Sequence, residues 1–128
     1  MHLSAAIYTA ALLLGGSHLI IKDISKGTGP GAKKGDTVTV TYVGKLTNGH
    51  IFDSTKLEGG EPFKVKLGEG RVIPGWEQGL LGMKVKGHRR LTIPPELAYG
   101  PRGAGTAVPP NATLIFDITM LKIERGGK

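Results

Sequence analysis

The stretch Val72-Ile73-Pro74-Gly75-Trp76-Glu77-Gln78-Gly79-Leu80 decides how the rest of this chain is read. Pro74 suits the first turn of a helix, where its missing N–H costs nothing. From there Trp76, Leu80 and Met83 fall at i, i+4 and i+7, on one helical face. The pattern predicts a short helix that follows an extended Val-Ile pair and ends at Gly82 or Gly87. Trp76, the one Trp of the chain, is then either the plug of a small core or the floor of a pocket under a sheet.

Outward from this helix the chain reads as strands. The 128 residues predict one domain, and 21 Gly and 8 Pro punctuate it at short intervals. Leu19–Ile24 predicts a first strand. Thr37–Val43 alternates, with Val38, Val40 and Tyr42 on one side and threonines on the other. Asn48-Gly49 signals a hairpin, with Ile51–Asp53 as the returning strand. Phe63–Leu67 is apolar at odd positions, and Arg89–Ile93 turns Leu91 and Ile93 inward. Thr113–Ile123 carries Leu114, Phe116, Ile118 and Met120 on one face, with Ile115, Leu121 and Ile123 opposite. The sum is an α+β fold: an antiparallel sheet of about five strands curled over one short helix.

Domain bounds follow from composition. Residues 18–125 form the domain, 1–17 an apolar N-terminal extension, and 126–128 a tail. Ala5–Leu14 is uncharged but too short to span a bilayer, which takes roughly 20 apolar residues. It reads as a poor signal sequence without a leading Lys or Arg, an added helix, or a remnant of a gene-model boundary. The chain has no Cys, which excludes disulfides, a thiol nucleophile and a Cys-based metal site. Cytoplasm or nucleus is expected, with the secretory pathway as the alternative if residues 1–16 are a signal; Lys128 closes no retention tetrapeptide.

The formal charge is +7. Such a surface attracts nucleic acid, acidic proteins or anionic membranes, or is simply a solvated positive face. The basic residues are spread along the chain, which favours the solvated face. Lys84, Lys86, His88, Arg89 and Arg90 are the densest cluster. His2, His18, His50 and His88 lack metal-ligand spacing, and no cofactor is expected. No nucleophile elbow, phosphate loop or carboxylate pair is present.

The aromatics Tyr42, Phe52, Phe63, Trp76, Tyr99 and Phe116 converge either as an ordinary core or as an apolar pocket. Asp53, directly after Phe52, is either a structural acceptor or part of a site. At this point five stretches in order resemble the FK506-binding proteins, a family of peptidyl-prolyl cis/trans isomerases. They are Thr41-Tyr42-Val43-Gly44, Gly49-His50-Ile51-Phe52-Asp53-Ser54, Val72 to Leu80, Ile93-Pro94-Pro95-Glu96-Leu97-Ala98-Tyr99-Gly100, and Val108-Pro109-Pro110-Asn111-Ala112-Thr113-Leu114-Ile115-Phe116. The likeness runs from about Leu19 to Ile123.

The resemblance implies a five-stranded antiparallel sheet wrapped around a short helix. It implies a pocket with Trp76 as floor and Tyr42, Phe52, Phe63, Val72, Ile73, Tyr99 and Phe116 as walls, with Asp53 at the side and Val108 among the ligand-binding residues. Asp53, Tyr99, Phe52 and Trp76 are the expected catalytic residues. The Ile73 amide and the Tyr99 hydroxyl are expected to meet ligand carbonyls. The implied activity is X–Pro isomerisation in protein folding, by a monomer, with proline-containing peptides and macrolides such as FK506 and rapamycin as ligands. A protein partner on the 99–110 loop and a nucleic-acid role are the other expected readings. The sequence departs from small members of the family at Ala104 and Ala107. Its Lys56–Glu61 loop is one residue longer and lacks an Arg placed near Asp53 in some of them.

Overall fold

The computed structural model describes residues 18–126. Six strands form one antiparallel sheet: β1 (Ile20–Ser25), β2 (Thr37–Leu46), β3 (Ile51–Ser54), β4 (Phe63–Lys66), β5 (His88–Ile93) and β6 (Leu114–Glu124). The order is β1-β5-β6-β2-β3, with β4 also paired to β2. β6 covers one edge of β2 along its length. On the other edge β3 meets Val43–Lys45 and β4 meets Thr37–Val40. Six strands therefore occupy five lanes, because the 55–62 loop interrupts one lane.

The helix, α1 (Pro74–Gly79), starts where expected: Ile73 is extended and Pro74 opens the first turn. It ends earlier than Gly82, at a Leu80 cap, so Met83 lies beyond it. Trp76, Leu80 and Met83 are nevertheless all buried. α1 lies close on β5. A Cβ on Gly75 would collide with Ile93, and one on Gly79 would meet Leu91 Cδ1 at 2.6 Å. The helix can approach the strand only with glycine on that face.

The core lies between the helix and the concave face of the sheet. Val38, Val40, Leu91, Ile93, Leu114, Ile118 and Met120 are fully enclosed. In β6 the alternation holds to Met120 and then changes parity. Lys122 pairs with Thr39 and Met120 with Val40, which leaves Leu121 as a bulge. Leu121 is accordingly exposed, while Ile123 turns in to pack on the core.

The basic cluster is split by the sheet. Arg90 pairs with Asp117 at 2.8 Å on the outer face. Arg89 points inward and is only 8% exposed. Its Nε donates to Asp23 at 2.7 Å, and its NH1 donates to the carbonyls of Gly79 and Leu81, each at 2.9 Å. One guanidinium thus ties β1 to the end of α1, whose last carbonyls need donors. A second polar knot surrounds Asp36. It accepts from Lys33 N, Gly126 N and Arg125 NH1. Residues 1–17, with the apolar stretch and Tyr8, and residues 127–128 lie outside the described part of the chain.

Candidate functional site

A cleft of about 420 Å³ opens beside the N-terminal end of α1. Trp76, 4% exposed, enters it from the helix. Strand pairing brings the walls together. Gly44 of β2 lies opposite Phe116 of β6 and Asp53 of β3, two residues from Tyr42. Phe63 enters as the first residue of β4, opposite Val40. Val72 and Ile73 come from the loop that leads into α1. Tyr99 comes from the segment between the short 3₁₀ turns Pro95–Leu97 and Gly100–Arg102.

The rings meet edge to face. Trp76 sits 5.2 Å from Tyr42 at 87°, 5.3 Å from Phe116 at 88° and 6.0 Å from Phe63 at 73°. Such pairs add about 0.5–1.5 kcal/mol each beyond burial and fix ring orientation. Phe63 and Tyr99 remain 37% and 41% exposed, an unusual degree for core aromatics.

The polar groups are few. Tyr42 Oη donates to Asp53 Oδ2 at 3.0 Å, and Ser54 N donates to Asp53 Oδ1 at 2.8 Å. Burial, then the hydrogen bond and charge of Asp53, raise the Tyr42 hydroxyl well above the ordinary tyrosine range. Burial and the Asp53 charge also push Tyr99 up. Both phenols are therefore neutral donors at neutral pH. No Arg or Lys forms an ion pair with Asp53 among the described residues. Its charged neighbour is instead Glu58, whose carboxyl is pushed up by hydrogen bonding to Asp53 and by its charge. Ile73 N–H has no backbone partner among the described residues, whereas Ile73 O accepts from both Trp76 N and Glu77 N.

The structure brings Tyr42, Asp53, Phe63, Val72, Ile73, Trp76, Tyr99 and Phe116 to this one cleft. Phe52, half-buried, does not line it directly and packs edge-on against Phe116, with centroids 5.5 Å apart. Val108 is not there either. It is a buried residue of the 99–110 loop, in which Ala104 N and Val108 N donate to each other's carbonyls at 2.8 and 3.1 Å. Gly70 and Arg71 line the cleft without having been singled out in the sequence. Their position depends on how the β4–α1 loop folds, and local periodicity carries no signal of that. Among the described residues no group of three His, Asp or Glu could hold a metal ion. No helix there is long and apolar enough to cross a membrane.

Comparison with known proteins gives a consistent result. Residues 29–121 match the family model for "FKBP-type peptidyl-prolyl cis-trans isomerase". FK506-binding protein 2 of Yarrowia lipolytica is 56% identical over 96 residues, 75% of this chain and 66% of that protein. An FK506-binding protein of Neisseria meningitidis serogroup A is 51% identical over 105 residues, covering 82% of this chain and 95% of that one. The crystal structure of AtFKBP13 superposes with a TM-score of 0.76 at 43% identity, over 81% of this chain and 91% of the other. The chain spans just under two thirds of the Yarrowia protein, and between 21% and 27% of several longer fungal relatives.

Proposed function

Because the chain belongs to the family of FKBP-type peptidyl-prolyl cis-trans isomerases, we propose that the aromatic cleft catalyses cis/trans exchange of X–Pro bonds in peptides and folding proteins. The observation that carries this reading is the combination at the cleft. Three edge-to-face rings surround Trp76, and two donors beside them, Ile73 N–H and Tyr99 Oη, stay open to a ligand.

The chemistry needs no nucleophile. An imide is held planar by resonance, with a barrier of about 18–20 kcal/mol. At the twisted transition state the resonance is lost and the group is less dipolar. A water-excluding aromatic cleft favours that state over the planar one, and only such differential binding accelerates the step. Trp76, Tyr42, Phe63 and Phe116 hold the pyrrolidine ring. Ile73 N–H and Tyr99 Oη fix carbonyls on either side of the twisting bond. Asp53 acts through Tyr42, whose hydroxyl it anchors, and places a negative charge beside the imide. Phe52 supports Phe116 edge-on, and Val108 supports the loop that carries Tyr99.

The same cleft is expected to bind FK506 and rapamycin-type macrolides, as the names of its relatives suggest for FK506. Ala104 and Ala107 give the 99–110 loop little side chain, so contacts from that loop to a macrolide are expected to be small. The test is cis/trans exchange of a Leu-Pro or Phe-Pro peptide, with and without FK506. Catalysis abolished by the drug is the expected result. Drug binding without catalysis would reduce the cleft to a binding module, and neither would leave the family likeness as one of fold alone.

A further inference from the structure

The loop that carries Val72 and Ile73 is held by one side chain from the helix it precedes. Glu77 Oε1 accepts from Gly68 N at 2.6 Å, and its Oε2 accepts from Gly70 N at 2.9 Å. The backbone N of the same residue donates to Ile73 O at 3.1 Å. Glu77 therefore grips both ends of the 68–73 segment. Gly68 and Gly70 have φ of +92° and +69°, so the segment turns through two left-handed positions to bring these amides onto one carboxylate. Hydrogen bonds from amides to a charged acceptor are short and about twice as strong as neutral ones. The other side-chain links in the segment run from Glu69 to Lys66 at 3.4 Å and to Arg71 at 2.9 Å. All three of those side chains are well exposed, and such surface pairs fix little.

We propose that Glu77 is a positioning residue for substrate binding: by chelating the Gly68 and Gly70 amides it sets the Val72–Ile73 rim, so that Ile73 N–H meets the substrate carbonyl. The proposal rests on the isomerase reading for its kinetic consequence. Its structural part stands apart from that reading. Nothing in the carboxylate's position reaches the cleft itself, where the rim is formed by Gly70, Arg71, Val72 and Ile73. The effect on substrate is indirect.

The discriminating substitution is Glu77→Gln. It keeps length and shape but has one acceptor oxygen. One of the two amides then faces an NH2 group, donor against donor. The bond from Ile73 N–H to substrate forms in both ground and transition states, so its misplacement raises KM and spares kcat. The expected result is a KM raised about five- to tenfold, with kcat within about twofold. Glu77→Asp restores the charge but is one methylene shorter and is expected to recover part of the loss. Loss of stability alone would not separate KM from kcat in this way.

Hydrogen exchange of the Gly68 and Gly70 amides gives a readout independent of turnover. Faster exchange in Glu77→Gln, together with the raised KM, supports the proposal. An active wild type with unchanged KM in Glu77→Gln overturns it, as does a loss confined to kcat. If the wild type itself does not isomerise, the isomerase reading fails instead. The holding role is then decided by exchange alone: unchanged protection of both amides overturns it.

Discussion

The two ends of the six-residue helix α1 are treated in opposite ways. At its C-terminal end the carbonyls of Gly79 and Leu81 are capped by Arg89, which is itself paired with Asp23. At its N-terminal end, among the described residues, Ile73 N–H lacks a backbone partner, and the indole N–H of Trp76 is buried without one. An unmade hydrogen bond at a buried group such as this indole N–H costs on the order of 1–3 kcal/mol. A fold that satisfies one end so completely and leaves the other open has room for a ligand at the open end. On the proposed function, the closed end supplies stability and the open end supplies binding.

The largest effect expected from this contrast is at the closed end. Arg89→Met removes the cation and leaves Asp23, Gly79 O and Leu81 O without their donors. Asp23, with its side chain 31% exposed, is rehydrated, so the loss is that of the bonds Arg89 makes to the buried helix end, about 3 kcal/mol for a charged donor. Urea unfolding is expected to show a loss of that size. The folded fraction is expected to keep its kcat/KM, since Arg89 does not touch the cleft. A folded variant with catalysis lost in proportion to stability would mean that the two ends are coupled through α1.

The Asp36 knot extends the same comparison to pH. Burial pushes the Asp36 carboxyl up, but the hydrogen bonds from Lys33 N and Gly126 N and the Arg125 guanidinium outweigh it and hold it below the ordinary value. An acid depressed in the folded state binds its proton more readily when unfolded. Its contribution is therefore complete above the unfolded value near 3.9 and is lost as pH falls through the lower folded one. Asp36→Asn is expected to cost about 1.5–3 kcal/mol at pH 7, the range for hydrogen bonds to charged groups. It is also expected to flatten the acid limb of stability against pH below about 4. An unchanged acid limb would remove Asp36 as its source.

These knots were the part of the molecule hardest to see in the sequence. Alternation placed Val38, Val40, Leu91, Ile93 and the even residues of β6 as far as Met120 correctly, because a half-buried strand writes its two faces into every second residue. Pro74 and the Trp76–Leu80 spacing marked the helix for the same kind of reason. Arg89 was read as one of a run of surface cations, since its strand period alone could not show that Asp23 and two helix carbonyls wait on the inner side. Ile123 falls by period on the face opposite the core, and the bulge at Leu121 turns it in. At the cleft, the aromatics on strands and helix were legible because strand parity decides which way they point. Arg71, Gly70 and Glu77 were not, since their places depend on a loop turned by positive-φ glycines. Phe52 was expected on the wall and packs edge-on against Phe116, which reaches it across β2 from β6.

The smallest expected effect is at the open end, and it separates two accounts of Asp53. Tyr42→Phe keeps the ring stack on Trp76 and removes only the hydroxyl that Asp53 receives. The cost in stability is about 0.5–1.5 kcal/mol, that of one hydrogen bond. If Asp53 works by fixing Tyr42, then Asp53→Ala and Tyr42→Phe each lower kcat/KM. In that case the double variant is no worse than Asp53→Ala alone, a coupling above roughly 0.5 kcal/mol. If the two losses add, Asp53 acts on the imide independently of Tyr42. The wall is then more than a mould for the proline ring, because a fixed charge beside the twisting bond would contribute separately from the rings that exclude water around it.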